Sequence, residues 1–471
     1  MLFNSIEFAL FILPVLLIVP RLGHRQQNVF LLAASYLFYG TWDWRFLSLI
    51  LLSTIVDYFC ALQMVEGNQK TKKRALLVSL GINLGALGFF KYTNFFVESF
   101  AEWAGAMGVQ VSIPTLEIIL PVGISFYTFQ TLSYTIDVYR GHTKPTRDFL
   151  NFALYVAFFP QLVAGPIEKS KRFLPQIEKE RTVTLDGLWE GSYLVLWGLF
   201  KKVVVADRCA IIVQRVFHQE GFDPTALELV VGAYAFSWQI YCDFSGYTDI
   251  ARGIARMLGF DLMLNFRMPY FAKNLSDFWR RWHISLSTWF KEYLYIPLGG
   301  NRVSKPRLAL NLMIVFVVSG LWHGAAMNFV VWGAIHGAGL VILTFSGTWL
   351  TPIRKKCPPI AWHWMAVTLT FHYAVFAFSI WQTDTVAQWF DLVIQVATEW
   401  ETSRAGWKDL TTLSGLISIP LIIQWAQARK DDPMLPFKWP FWGRFLLYLV
   451  LLIGILRLGV FDGEQFIYFQ F

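Results

Sequence analysis

The chain has 471 residues, of which 55% are hydrophobic and 17% aromatic, a composition that excludes an ordinary water-soluble domain. It predicts an all-α, polytopic integral membrane protein. The formal net charge of +8 is spread over short connections between apolar runs instead of one continuous basic face, which argues against a nucleic-acid partner and matches the positive-inside pattern.

Apolar runs of roughly 20 residues, each able to cross a hydrocarbon core of about 30 Å as a helix, are read at 5–20, 28–41, 45–66, 75–93, 112–138, 187–217, 226–259, 308–322, 326–348, 361–382, 411–427 and 442–461. The expectation is about 11–12 transmembrane helices in a single membrane domain spanning 1–471. The basic connections GNQKTKKR (67–74), RGHTKPTR (140–147), EKSKR (168–172), NRVSKPR (301–307) and RKK (354–356) then face the cytoplasm. No basic residue precedes the first run, so it reads as a span and not as a removed signal. Arg21 and Arg25 follow the first run, and Lys438 and Arg444 precede or begin the last. Both termini are therefore expected to be extracytoplasmic. Cys60, Cys209, Cys242 and Cys357 have no CxxC spacing and support neither a disulfide framework nor a metal site.

Two stretches depart from simple crossing. Segment 149–166 is apolar, flanked by basic residues and interrupted by Pro160, Gly165 and Pro166, which predicts a re-entrant element. In 274–297, Arg280, Arg281, Lys291 and Glu292 lie among aromatic residues. Read as one helix, it places Trp279, His283, Leu286 and Phe290 on one face, an amphipathic helix dipping into the cytoplasmic leaflet beside a central funnel or tunnel.

Ionisable groups in or beside such spans are costly and are functional candidates by default. His283 and His323 lead. An imidazole as deep as His323 is expected to be neutral, as a general base must be before reaction. The competing reading is a core histidine bonded to a backbone carbonyl. His336 falls about 220° from His323 if both lie on one continuous helix, so the two would not share a face. His363 and His372 lack polar neighbours in sequence and read as core. In YCDFSGYTD (241–249), Asp243, Tyr247 and Asp249 interrupt an apolar run. These carboxylates need partners, and Arg280 and Arg281 are the expected ones, as an internal ion pair holding helices together.

FWRRWHISLSTWFKEYLYIPLGGNR followed by GLWHG and FVVWGAIHG resembles the membrane-bound O-acyltransferase family, in its bacterial alginate and peptidoglycan O-acetylation branch with teichoic-acid D-alanylation proteins as cousins. PVGISFYTFQTLSYTIDVYRG, FFPQLVAGPI, FSGYTDIA and LNFRMPY follow that branch in order. One departure is Cys242, at a place where an aromatic residue is expected. The resemblance implies a family core over about 110–345, with the later spans and tail over 361–471. It also implies that His323 is the catalytic histidine and His283 the second family position. Asp243, Tyr247, Asp249, Arg280, Arg281, Trp282, Trp322 and His336 are supporting or donor candidates around them. The C-terminal FIYFQF (466–471) resembles an ending thought to present its tyrosine, Tyr468, as an acyl carrier; a terminal aromatic cluster is otherwise an interfacial anchor.

The activity so implied is O-acetyl transfer. The donor is a cytoplasmic thioester, acetyl-CoA or an acyl-carrier thioester, used as substrate with no bound cofactor. The acetyl group passes across the cytoplasmic (inner) membrane, surrounded by membrane lipid, to an extracytoplasmic acetyltransferase partner and an exported polysaccharide such as alginate or peptidoglycan. Two other classes compete: a proton-coupled transporter using the same Asp and His residues, and a structural subunit of a polysaccharide export complex. No internal repeat of the kind many transporters carry is visible.

Overall fold

The fold is seen in a computed structural model that describes residues 1–109, 116, 118–461, 466 and 467. The described residues form helices joined by short turns, with no strand among them. Seven helical runs are long and apolar enough to cross a membrane: His24–Glu66, Gln69–Ala106, Lys305–His323, Met327–Phe345, Pro359–Gln382, Arg404–Lys430 and Phe441–Leu458. The first contains two helices of 20 residues, His24–Asp43 and Leu47–Glu66, each about 30 Å long at 1.5 Å per residue. Other expected spans take different forms. The run at 5–20 becomes a helix of 13 residues, Ile6–Ile18, and 187–217 is helical but interrupted by π turns at Phe200–Ala206 and Gln214–His218.

The chain divides into two compact units, Met1–Ser192 with Ala251–Met263, and Tyr193–Ile250 with Leu264–Phe471. In the first, a polar network ties together helices Leu47–Glu66, Gln69–Leu87 and Ile124–Tyr139. Asn83 Nδ2 donates to both carboxylate oxygens of the fully buried Asp57 at 3.0 Å, Ser53 Oγ donates to Asn83 Oδ1 at 2.7 Å, and Ser79 Oγ donates to Thr135 Oγ1 at 3.0 Å. Each polar group is satisfied by another helix, as burial requires. The run 149–166 is broken as its prolines demand: a helix Phe149–Ala157, capped by Asp148, ends at Phe158, and a single turn Phe159–Leu162 follows with Pro160 near its start. The basic connection after it is not a solvated loop. Glu168 is fully buried, takes Arg172 Nη1 at 2.7 Å and accepts from Met263 N–H. Burial pushes its carboxyl up to about 7, against the pull of Arg172.

In the second unit, helices Lys305–His323 and Met327–Phe345 form a tight hairpin. Two glycines permit the approach: a Cβ at Gly320 would collide with the carbonyl of Phe329, and one at Gly333 with the carbonyl of Phe316. Small residues at a helix contact are the usual device for close packing in membranes. Asn328 Nδ2 donates to the carbonyls of Ile380 (3.3 Å) and Thr383, tying the hairpin to the end of the Pro359–Ser379 helix.

Candidate active site

The second unit brings His283, His323 and His336 into one aromatic interior. All three are buried, with exposures of 0%, 3% and 0%. His323 is the last residue of its helix, because Gly324 adopts extended backbone (φ −155°, ψ 149°). Its ring lies 5.1 Å from Trp322, 5.1 Å from Trp332 and 5.2 Å from Trp381, centroid to centroid. The His283 ring is 6.3 Å from it. At that separation the two imidazoles do not stack, yet both are near enough to address one small reacting group.

His283 is held differently, and here the single-helix expectation for 274–297 fails. The chain forms Leu275–Arg281, turns, and restarts as Ile284–Phe290. His283 caps the second helix in left-handed conformation (φ 41°, ψ 55°), which costs an ordinary residue about 1–2 kcal/mol. The conformation is fixed from outside the segment. Ile284 N–H donates to the carbonyl of Asn265 at 2.9 Å, Ser285 N–H donates to Asn265 Oδ1 at 3.2 Å, and Arg267 N–H donates to the carbonyl of Arg281 at 2.9 Å. Trp279 and His283 therefore do not share a helix face. The His283 ring packs on Phe244 at 4.6 Å and lies 5.9 Å from Trp322. It stands outside the seven spanning runs, and burial pushes its pKa down to about 3. It is neutral at pH 7.

His336 and His323 sit on the two arms of the hairpin, so the angular separation expected on one helix does not apply. Trp332 separates them, 4.8 Å from His336 and 5.1 Å from His323. Trp279 also packs on His336 at 5.0 Å and lies 5.8 Å from Trp332. Trp282 packs against Phe278, Phe266 and Phe378 and so supports the turn that carries His283.

The carboxylates are also paired differently from expectation. Asp243 Oδ1 meets Lys202 Nζ at 2.8 Å, Lys202 also meets Asp207 at 2.8 Å, and Lys201 Nζ donates to Asp249 Oδ2 at 2.6 Å and Ser245 Oγ at 3.0 Å. Arg281 is used locally, on Asp277 at 2.8 Å, and Arg280 is exposed. The two lysines were the missed residues. Their signal was present in sequence: two adjacent cations inside the apolar run 187–217 require buried anions. Among the described residues no group of three or more His, Cys, Asp or Glu is placed to hold a metal ion.

A cavity of about 560 Å³ opens beside the hairpin. Its wall combines Leu308, Leu312 and Val315 with the cations Arg280 and Lys291, and it reaches Trp279, one ring away from His336. Two residues near the end of the sequence, Phe466 and Ile467, also belong to this unit. Phe466 and Ile467 are buried at 2% and 3% exposure, and Phe466 meets Tyr247 at 4.7 Å and Phe244 at 5.7 Å. Tyr468 lies outside the described residues.

A model of the membrane-bound O-acyltransferase family matches residues 142–382, which hold all three buried histidines and the lysine–aspartate pairs. A probable alginate O-acetylase of Pseudomonas putida is 36% identical, with all of both chains covered. The chain belongs to the membrane-bound O-acyltransferase family. It is an acyltransferase. A peptidoglycan O-acetyltransferase of Helicobacter pylori is 39% identical over 67% of this chain and 64% of its own length, and a teichoic acid D-alanyltransferase of Bacillus subtilis is 28% identical over 57% and 70%. Full-length similarity to the first relative extends the family match through the last helix and the tail. The expected resemblance and the multi-pass, all-helical fold are thus borne out, and acyl transfer displaces transport and scaffolding as the activity of the chain.

Proposed function

We propose that this membrane O-acyltransferase takes acetyl groups from a cytoplasmic thioester, acetyl-CoA or an acyl-carrier thioester, and passes them across the cytoplasmic membrane for O-acetylation of an exported polysaccharide such as alginate or peptidoglycan. Both termini face the extracytoplasmic side, and a separate exported acetyltransferase completes the transfer. The observation that carries this reading is the buried pair His283 and His323, 6.3 Å apart in an aromatic interior.

His323 acts as general base. His283, neutral at physiological pH, donates a hydrogen bond to the developing oxyanion or orients the donor, and removal of such a donor typically costs about 3–4 kcal/mol. The cavity beside the hairpin supports donor entry, since Arg280 and Lys291 suit the phosphates of a pantetheine-bearing donor and the leucine wall suits its less polar arm. Tyr468 is the acyl carrier. A phenol near pKa 10 and an imidazole near 6.5 differ by about 3.5 units, roughly 5 kcal/mol against complete proton transfer in advance. Proton removal therefore accompanies attack: the phenolic oxygen bonds to the acyl carbon, the carbon–sulfur bond breaks, and the proton taken by His323 is returned to the departing thiolate. The aryl ester that forms is activated enough to hand its acetyl group to a hydroxyl.

Incubation with isotope-labelled acetyl-CoA followed by mass spectrometry of the C-terminal peptide tests the carrier step. Label on Tyr468, lost in Tyr468→Phe, is the expected result; an enzyme trapped during turnover with no label there would refute it.

A further inference from the structure

We infer that Asp243 is the positioning residue that latches the C-terminal tail into the acyl-transfer interior. The inference deepens the proposed function and rests on it for the purpose of the latch, but not for its existence. Ile467 N–H donates to Asp243 Oδ2 at 2.7 Å, while the other oxygen, Oδ1, faces Lys202 Nζ at 2.8 Å. Lys202 is itself shared with Asp207. One carboxylate thus joins the tail's main chain to a buried charge network. An anionic acceptor makes this hydrogen bond about twice as strong as a neutral one, and it reads the backbone, so it does not depend on the identity of the side chain it holds.

Two further contacts give the docking its direction. Upstream, the chain leaving the Phe441–Leu458 helix is tied to the same stretch of the unit: Arg208 Nε donates to the carbonyl of Leu458 at 2.6 Å, and Val460 N–H donates to the carbonyl of Val203 at 2.9 Å. At the docked end, Phe466 packs on Tyr247 and Phe244, and Phe244 also packs on the His283 ring at 4.6 Å and on Phe266 at 5.1 Å. Phe244 therefore touches both Phe466 and His283. Asp243, Phe244 and Tyr247 come from one turn of the Ala226–Met257 helix, so one short element supplies the latch, the aromatic seat and the contact to His283. The latch fixes the chain at Ile467, one residue before Tyr468 in the sequence, which is the link to the proposed carrier step. Buried ionisable groups that stand beside a site without touching the reactants acquire a purpose in this way.

The test uses the full-length protein in detergent. Labelling is followed by a maleimide on Phe466→Cys in a background where Cys60, Cys209, Cys242 and Cys357 are alanine; turnover is followed as free thiol released from acetyl-CoA in chains that keep Phe466. Ile467→Pro removes the donor N–H while leaving Asp243 and Lys202 in place, and Ile467→Leu restores it. Loss of a hydrogen bond to a charged group predicts labelling about tenfold faster or more. Ile467→Pro should lower kcat by a similar factor with KM for acetyl-CoA unchanged, and Ile467→Leu should match the parent in both assays. Ile467→Pro labelled within twofold of Ile467→Leu overturns the latch, and faster labelling with an unchanged kcat overturns its purpose in turnover. Tyr468→Phe separates the two readings: it should abolish turnover with labelling unchanged, whereas retained turnover overturns the carrier and leaves the latch to be judged on labelling.

Discussion

Two buried polar clusters in this chain carry similar costs and are built differently. Around Asp57, every group is met by another helix: Asn83 serves both carboxylate oxygens and is itself held by Ser53. Around His283 and His323 the neighbours are aromatic rings, one histidine is held in a left-handed turn, a cavity lined by Trp279 and Ile284 opens in the same unit, and Ile467 is tied to Asp243. An intramembrane ionisable group is a functional candidate, but the comparison adds a condition. Such a group reads as structural when its partners close around it, and we propose a reactive role where aromatic walls and open space stand nearby instead.

The largest effect is expected from His323→Ala, which removes the proposed base and should lower acyl turnover by about 10²–10⁴-fold with folded yield preserved. Gly333→Val attacks the same site through its scaffold. The added side chain meets the carbonyl of Phe316, and a loss of roughly 1–3 kcal/mol of stability, read as a lower thermal midpoint, should precede any loss of turnover per folded molecule. His283→Asn keeps a residue that tolerates the left-handed turn, so turnover should fall about 10²-fold while the fold remains. It also changes the acid limb. Because His283 in the folded chain titrates near 3 against about 6.5 unfolded, the unfolded state gains the proton first, and stability falls as pH drops below about 6.5. At pH 5 this amounts to up to about 2 kcal/mol, a contribution that His283→Asn should remove from the pH dependence of unfolding. The smallest effect on chemistry belongs to Asp57→Asn: the amide turns a donor toward Asn83, costing about 1–3 kcal/mol, yet turnover per folded molecule should stay within twofold.

Much of the candidate site was legible in sequence because its residues break an apolar background. His283 and His323 needed only that contrast and the motifs around them. The helix ends at Lys305–His323 and Met327–Phe345 lie within a few residues of the expected runs, since Gly324 and the apolar periodicity mark them. The carboxylate partners were not legible: Arg280 and Arg281 are near in the motif, but Lys201 and Lys202 are near in space, and pairing across helices leaves no local pattern. The left-handed turn at His283 was hidden for the same reason, because Asn265 imposes it from a separate stretch of chain. Asp57 was passed over inside an ordinary-looking span, where its neighbours in sequence say nothing about Asn83.

The distinction between the two clusters rests on whether reactants reach them. Single-turnover release of thiol from acetyl-CoA should be measured side by side for His323→Gln and Asp57→Asn, each normalised to the folded fraction by size-exclusion chromatography. Loss of release in His323→Gln with near-parental release in Asp57→Asn is the predicted result. Near-parental release in His323→Gln would contradict the assignment of this interior as the acyl-transfer site.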